Sequence, residues 1–156
     1  MLARKTAREA RPEAGEPETR PPDAQAEGFS TVREAHRSEV LEDYVELIAE
    51  LIAATGEARP VEIAQRMGVR QPTVTKNLAR LVREGLALRG GGRSVQLTAA
   101  GRRLAETCRH RHRVVVDFLL GLGLDPETAE ADAEGIEHHV SDKTLAVFEA
   151  FLKRRG

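Results

Sequence analysis

The chain has 156 residues, a formal net charge of −1, 40% hydrophobic but only 3% aromatic side chains, and a single cysteine. That length holds one ordinary domain or two small ones sharing a core, and so few aromatics call for an aliphatic interior of packed helices. One cysteine excludes an intrachain disulfide framework and a thiolate zinc cluster, and no apolar run is long enough for a signal sequence or a membrane span, so a cytoplasmic protein without a membrane partner is expected.

The near-neutral total hides a segregation. Residues 66–113 carry twelve Lys or Arg against two acids, whereas residues 114–156 carry nine acids against four bases. One half suits a polyanion and the other suits cations.

Residues 1–28 hold Pro12, Pro17, Pro21 and Pro22 with hardly any large apolar side chain, the composition of a disordered tail. Ser30 or Thr31 is then the expected cap of a long helix whose apolar positions Val40, Leu41, Tyr44, Val45, Leu47, Ile48, Leu51 and Ile52 keep helical spacing to Thr55. A short helix from Pro60 to Met67 follows, closed by Gly68, and a third spans about Gln71 to Glu84. Two short strands, Leu86–Arg89 and Ser94–Leu97, flank Gly90-Gly91-Gly92-Arg93 as a hairpin. Thr98 caps a helix to Gly123, Asp125 caps one that runs to about Val140, and Ser141 caps the last. The fold class is therefore mostly α: a winged helix-turn-helix over 29–98, then an all-helical unit over 99–156.

A winged helix-turn-helix reads the major groove with polar side chains at the exposed start of its third helix. Gln71, Thr73, Thr75 and Lys76 stand there, with Arg80 one turn on, better placed for a phosphate. Arg93 at the glycine-rich wing tip suits the backbone or the minor groove, or simply solvent. The alternative is a helical hairpin that binds only protein, which the basic excess of this segment disfavours.

The second set of residues is acidic. In the run Ala133-Glu134-Gly135-Ile136-Glu137-His138-His139-Val140, read as helix, Glu134, Glu137 and His138 fall at i, i+3 and i+4 on one face. Asp43 and Glu46 are likewise neighbours on the first helix, either as ligands or as a solvated acidic pair. His112 leans toward the buried side of its helix, where a histidine is either a ligand or a hydrogen-bonded core residue. Cys108 shares that face and is read as core packing, and His139 as turned away from His138, behind it or toward solvent. If these elements converge, four carboxylates and two imidazoles form a hard site that suits Mn²⁺ and Fe²⁺, and the absence of thiolate argues against a preference for zinc or copper(I). Charge balance allows two ions per subunit.

These segments resemble the manganese-responsive regulators (MntR type) of the diphtheria-toxin-repressor family. The resemblance rests on LEDYVELI at 41–48, GVRQPTVTKNLARL at 68–81, LTAAG at 97–101, RHRHRVVVDFLLGLG at 109–123 and DAEGIEHHVS at 132–141. It implies manganese ligands at Asp43, Glu46, His112, Glu134, Glu137 and His138, with Glu134 standing where iron-responsive relatives tend to have a cysteine. It also implies a homodimer on a palindromic duplex operator, repressing manganese-uptake genes when Mn²⁺ is bound. Arg70, where a Ser or Thr cap is common, joins Gln71, Pro72, Thr73, Thr75, Lys76, Arg80 and Arg93 as the DNA-facing set. A winged-helix regulator indifferent to metal is the alternative. A di-metal enzyme is disfavoured, because such sites use Glu-x-x-His pairs and Gly135 and Ile136 precede His138 and His139 by three.

Overall fold

The computed structural model describes residues 21–155. It runs α1 (Pro22–Thr55), α2 (Pro60–Met67), α3 (Gln71–Arg83), β1 (Ala87–Arg89), β2 (Val95–Leu97), α4 (Ala99–Leu122), α5 (Pro126–Ile136) and α6 (Asp142–Arg155). The mostly helical winged helix-turn-helix followed by a helical unit is the fold expected.

α1 starts earlier than expected. Pro22 occupies the first turn, where its missing N–H costs nothing, and Asp23 lies at the positive end of the helix dipole. Thr31 is not a cap: its hydroxyl donates to the Glu27 carbonyl one turn back at 3.0 Å. Of the expected disordered tail, residues 22–28 are thus helical, and residues 1–20 lie outside the described residues. Every residue from 21 to 34 is exposed, so no apolar periodicity marks this stretch as helix.

The turn between α2 and α3 follows from one backbone angle. Gly68 has φ +65°, the left-handed conformation that a β-carbon penalises, and Val69 N–H bonds back to the Ala64 carbonyl at 3.1 Å. β1 and β2 pair antiparallel, with Ala87 opposite Leu97, and Ala58 adds a bridge to Val95.

Two cores form. Tyr44, Val45, Ile48 and Leu51 of α1 pack with Ile63, Val74, Leu81, Ala87, Val95 and Leu97, while Ala105 of α4 closes that cluster. The second core joins Val114, Val115 and Val116 of α4 to Ala133 and Leu145, with Phe148 against it. Phe118 stacks on Phe148 at 3.9 Å between centroids and meets Phe151 edge-on at 5.2 Å. α4 belongs to both cores and so ties the DNA-reading unit to the acidic unit.

α5 ends at Ile136, four residues short of the expected Val140, and Glu137–His139 form a turn. The reason lies in α4. Arg111 donates from Nε to the Glu137 carbonyl at 3.1 Å and from Nη2 to the same oxygen at 2.9 Å, and it also reaches the Val140 carbonyl. Carbonyls held by a guanidinium need no further turn of helix to satisfy them.

Candidate metal centre

Asp43, Glu46, His112, Glu134, Glu137 and His138 all line one cavity of about 640 Å³ among α1, α4 and the end of α5. The elements do converge, and the helical phase of each pair brings this about. Asp43 and Glu46 flank the buried positions Tyr44, Val45 and Ile48, while His112 lies one turn beyond buried Cys108. Burial pushes the Cys108 thiol up to about 12, so it packs as a neutral group, as expected.

Imidazoles and carboxylates alternate in the centre. His138 Nδ1 is 2.8 Å from Glu42 Oε2, and its Nε2 faces Asp43 Oδ1 at 3.2 Å and Glu137 Oε1 at 3.4 Å. His112 Nδ1 lies 2.5 Å from Glu137 Oε2 and 4.0 Å from Glu134 Oε1, and its Nε2 lies 2.8 Å from Glu130 Oε2. The side chains of Glu137 and His138 are each only 3% exposed, whereas that of Glu134 is 72% exposed.

Such crowding shows in the protonation equilibria. Burial, then the Glu137 charge, pushes the Glu46 carboxyl up to about 7. Burial also raises Glu137. Hydrogen bonds to Asp43 and then to Glu42 lift His138 to about 10, and the same contact holds Glu42 below the usual carboxylate range. At His112 burial works downward, but the hydrogen bond to Glu130 and the charge of Glu137 prevail and raise it. Protons here offset a carboxylate excess that a divalent cation would otherwise offset, and the oxygen-rich donors suit a hard ion. The residues present fit a metal of the manganese class.

Three residues around the centre escape sequence reasoning. Glu42 holds the second nitrogen of His138, the support that metal-bound histidines ordinarily have, and a search for a carboxylate beside Asp43 would have found it. Glu130, one helical turn before Glu134, was legible by spacing. Arg111 carried no signal, since its partners are main-chain atoms 26 and 29 residues away.

At the other end of the molecule, Arg70, Gln71, Pro72, Thr73, Thr75 and Lys76 are all exposed at the start of α3. Arg70 stands at the N-cap without a capping side-chain bond, leaving its guanidinium free of that task. Arg80 is engaged within the chain, donating to the Arg37 carbonyl at 3.1 Å with Glu84 at 3.5 Å. Arg93 is exposed on the wing with φ +72°.

Comparison with known proteins agrees with this two-part layout. Residues 36–89 match the N-terminal DNA binding domain of iron dependent repressors, and residues 98–155 match their metal binding and dimerisation domain. The chain is 55% identical over 130 residues to the transcriptional regulator MntR of Escherichia coli, covering 83% of this chain and 84% of that protein. Its counterpart in Salmonella typhimurium is 54% identical, covering 83% of each. A manganese-dependent transcriptional repressor solved in complex with manganese superposes with a TM-score of 0.66 at 31% identity, covering 72% of this chain. The alignment spans 52% of that solved chain, so this protein corresponds to about half its length.

Proposed function

Because the chain belongs to the iron-dependent repressor family, in which it groups with the MntR-type regulators, we propose that it represses genes for manganese uptake when Mn²⁺ is bound. It is a metal-dependent, DNA-binding transcriptional regulator with a winged-helix reader and a dimerisation unit. The observation that carries the metal reading is the single cavity lined by Asp43 and Glu46 from the reader and by His112, Glu134, Glu137 and His138 from the dimerisation unit.

Within this reading, those six residues hold manganese, two ions per subunit, with Fe²⁺ possible in the same oxygen-rich set. Glu42 and Glu130 orient the two imidazoles. The bound metal supplies the positive charge that draws both sets of carboxylates together. Asp43 and Glu46 lie on the helix that packs under α3, so their position sets the position of Gln71, Thr73, Thr75 and Lys76. A cytoplasmic homodimer then presents two such helices to a palindromic duplex, whose half-sites lie about 34 Å apart. A regulatory rather than catalytic role accords with its relatives, which are named transcriptional regulators.

The test is selection from a random duplex pool with and without Mn²⁺ at one fixed salt concentration. Enrichment of a palindrome only with Mn²⁺ is expected. Equal enrichment in both arms would reduce the acidic cluster to structure and favour a metal-indifferent regulator. Asp43→Asn should leave the dimer intact while lowering Mn²⁺-dependent affinity for the selected duplex by about 5–150-fold, the usual range of allosteric coupling. A dissociated dimer in that variant would assign Asp43 a structural task instead.

The raised protonation equilibria give a second prediction. His138 in the metal-free fold titrates near 10 rather than 6.5, so its stabilising contribution is complete below pH 6.5 and is lost as pH rises through about 10. Glu46 is raised from 4.5 to about 7, so its neutral form favours the fold and stability declines as pH rises across that window. Metal ligands must be deprotonated, so Mn²⁺ competes with both protons. The rise in Tm produced by Mn²⁺ should therefore widen steadily from pH 6 to pH 8.5 in differential scanning calorimetry. A rise independent of pH would remove His138 and Glu46 from the ligand set.

A further inference from the structure

We propose that His36, Glu39 and His139 form a further cation site, rich in imidazole, that takes a borderline divalent ion of the zinc class. None of the three belongs to the proposed manganese ligands, and the inference does not depend on that reading. His36 and Glu39 are i, i+3 neighbours on α1, while His139 comes from the turn after α5, a hundred residues later. One ligand atom from each lies within 4.8 Å of the other two, and no other triple of His, Cys, Asp or Glu stands so close among the described residues.

The arrangement around Glu39 is directional. Its Oε2 is 2.9 Å from His36 Nδ1 and 3.7 Å from His139 Nε2, so one carboxylate oxygen faces both rings. The rings meet edge to face, with centroids 5.0 Å apart at 79°. A surface ion pair would need only His36 and Glu39, and convergence of the third side chain from another element is what makes a pocket for an ion.

Donor chemistry selects the ion. Two imidazoles and one carboxylate reverse the balance of the larger centre and favour Zn²⁺, Co²⁺ or Ni²⁺ over Mn²⁺. Ligand atoms around a tetrahedral zinc stand about 3.3 Å apart, given bonds of about 2.0–2.1 Å. The side chains of His36 and His139 are 61% and 37% exposed, so closing the remaining gap displaces no packed core. A fourth position stays open to water. An ion held there would staple the amino-terminal part of α1 to the residue that follows His138.

The full chain, stripped by a chelator, should be titrated with Zn²⁺ against a chromophoric competitor, and Mn²⁺ occupancy should be measured separately by electron paramagnetic resonance. We expect wild type to take up one more zinc per subunit than His36→Ala, and His139→Ala to show the same deficit with at least tenfold weaker binding of that ion. Manganese occupancy should be equal in wild type and His36→Ala. Identical zinc isotherms for wild type and both variants would overturn the proposal. Failure of the manganese reading would appear as absent Mn²⁺ occupancy, with the zinc difference between wild type and His36→Ala still present.

Discussion

Gly101→Ala should lower the stability of the fold by about 3 kcal/mol, because overpacking against an immovable neighbour costs that much. A β-carbon on Gly101 would lie 2.0 Å from the Leu86 carbonyl oxygen and 3.2 Å from the Leu97 side chain. Backbone cannot rotate away as a flexible side chain does. The same Leu86 oxygen accepts the Thr98 N–H at 3.0 Å, and Thr98 Oγ1 both accepts from Gly101 N–H at 3.0 Å and donates to the Gly85 carbonyl at 2.7 Å. Any retreat of α4 from the wing breaks this cap, which alone contributes about 1 kcal/mol. A fall in Tm of about 10 °C is expected for a chain of this size. Gly135→Ala is the internal control. Nothing lies within 4 Å of its added carbon, so a helical alanine there should be neutral or stabilising by about 0.5–1 kcal/mol. Equal and like-signed shifts in the two variants would show that the close approach at Leu86 does not govern stability.

Arg111→Ala should do comparable damage by another route. The Arg111 side chain is 15% exposed, and its guanidinium holds the Glu137 and Val140 carbonyls together with the Asp142 carboxylate at 2.8 Å. Truncation leaves two main-chain acceptors of a tight turn without their partner, at a cost of about 1–3 kcal/mol. Since the turn carries Glu137 and His138, loss of its anchor should also weaken Mn²⁺ binding by about 10–100-fold, the usual effect of removing a group that supports a ligand. Arg111→Lys should recover only part of this, because one ammonium cannot reproduce a planar fork. Faster amide exchange at residues 137–140 in Arg111→Ala, with α3 unaffected, is the accompanying signature. Unchanged exchange and unchanged Mn²⁺ affinity would remove Arg111 from the architecture of the centre.

Asp43, Glu46, Glu134 and the buried face of α1 were legible because helical spacing converts sequence directly into a shared face. The turn at Gly68 and the caps at Thr98 and Asp125 were legible for a related reason: each depends on one residue type at one position. What escaped depends on contacts between distant segments. The end of α5 is decided by Arg111 on α4, so its own sequence, helical in pattern through Val140, could not reveal it. The start of α1 at Pro22 was hidden because an exposed helix has no apolar stripe. Glu42 and Glu130 stood in view but lacked meaning until the rings of His138 and His112 had positions.

α1 is a single uninterrupted rod of 34 residues, about 50 Å long at 1.5 Å per residue. No proline or glycine divides the stretch from Asp43 to Thr55, and Val45, Ile48 and Leu51 clamp it to Val74 and Leu81. With no joint between the acidic side chains and the residues that pack on the recognition helix, this part of α1 moves as one body. Asp43 and Leu51 are only about 12 Å apart along that rod, so a shift imposed at the acids reaches the contacts with α3 almost undiminished. A displacement on the order of 3.4 Å, the spacing of successive base pairs, would put a reading helix out of step with its half-site.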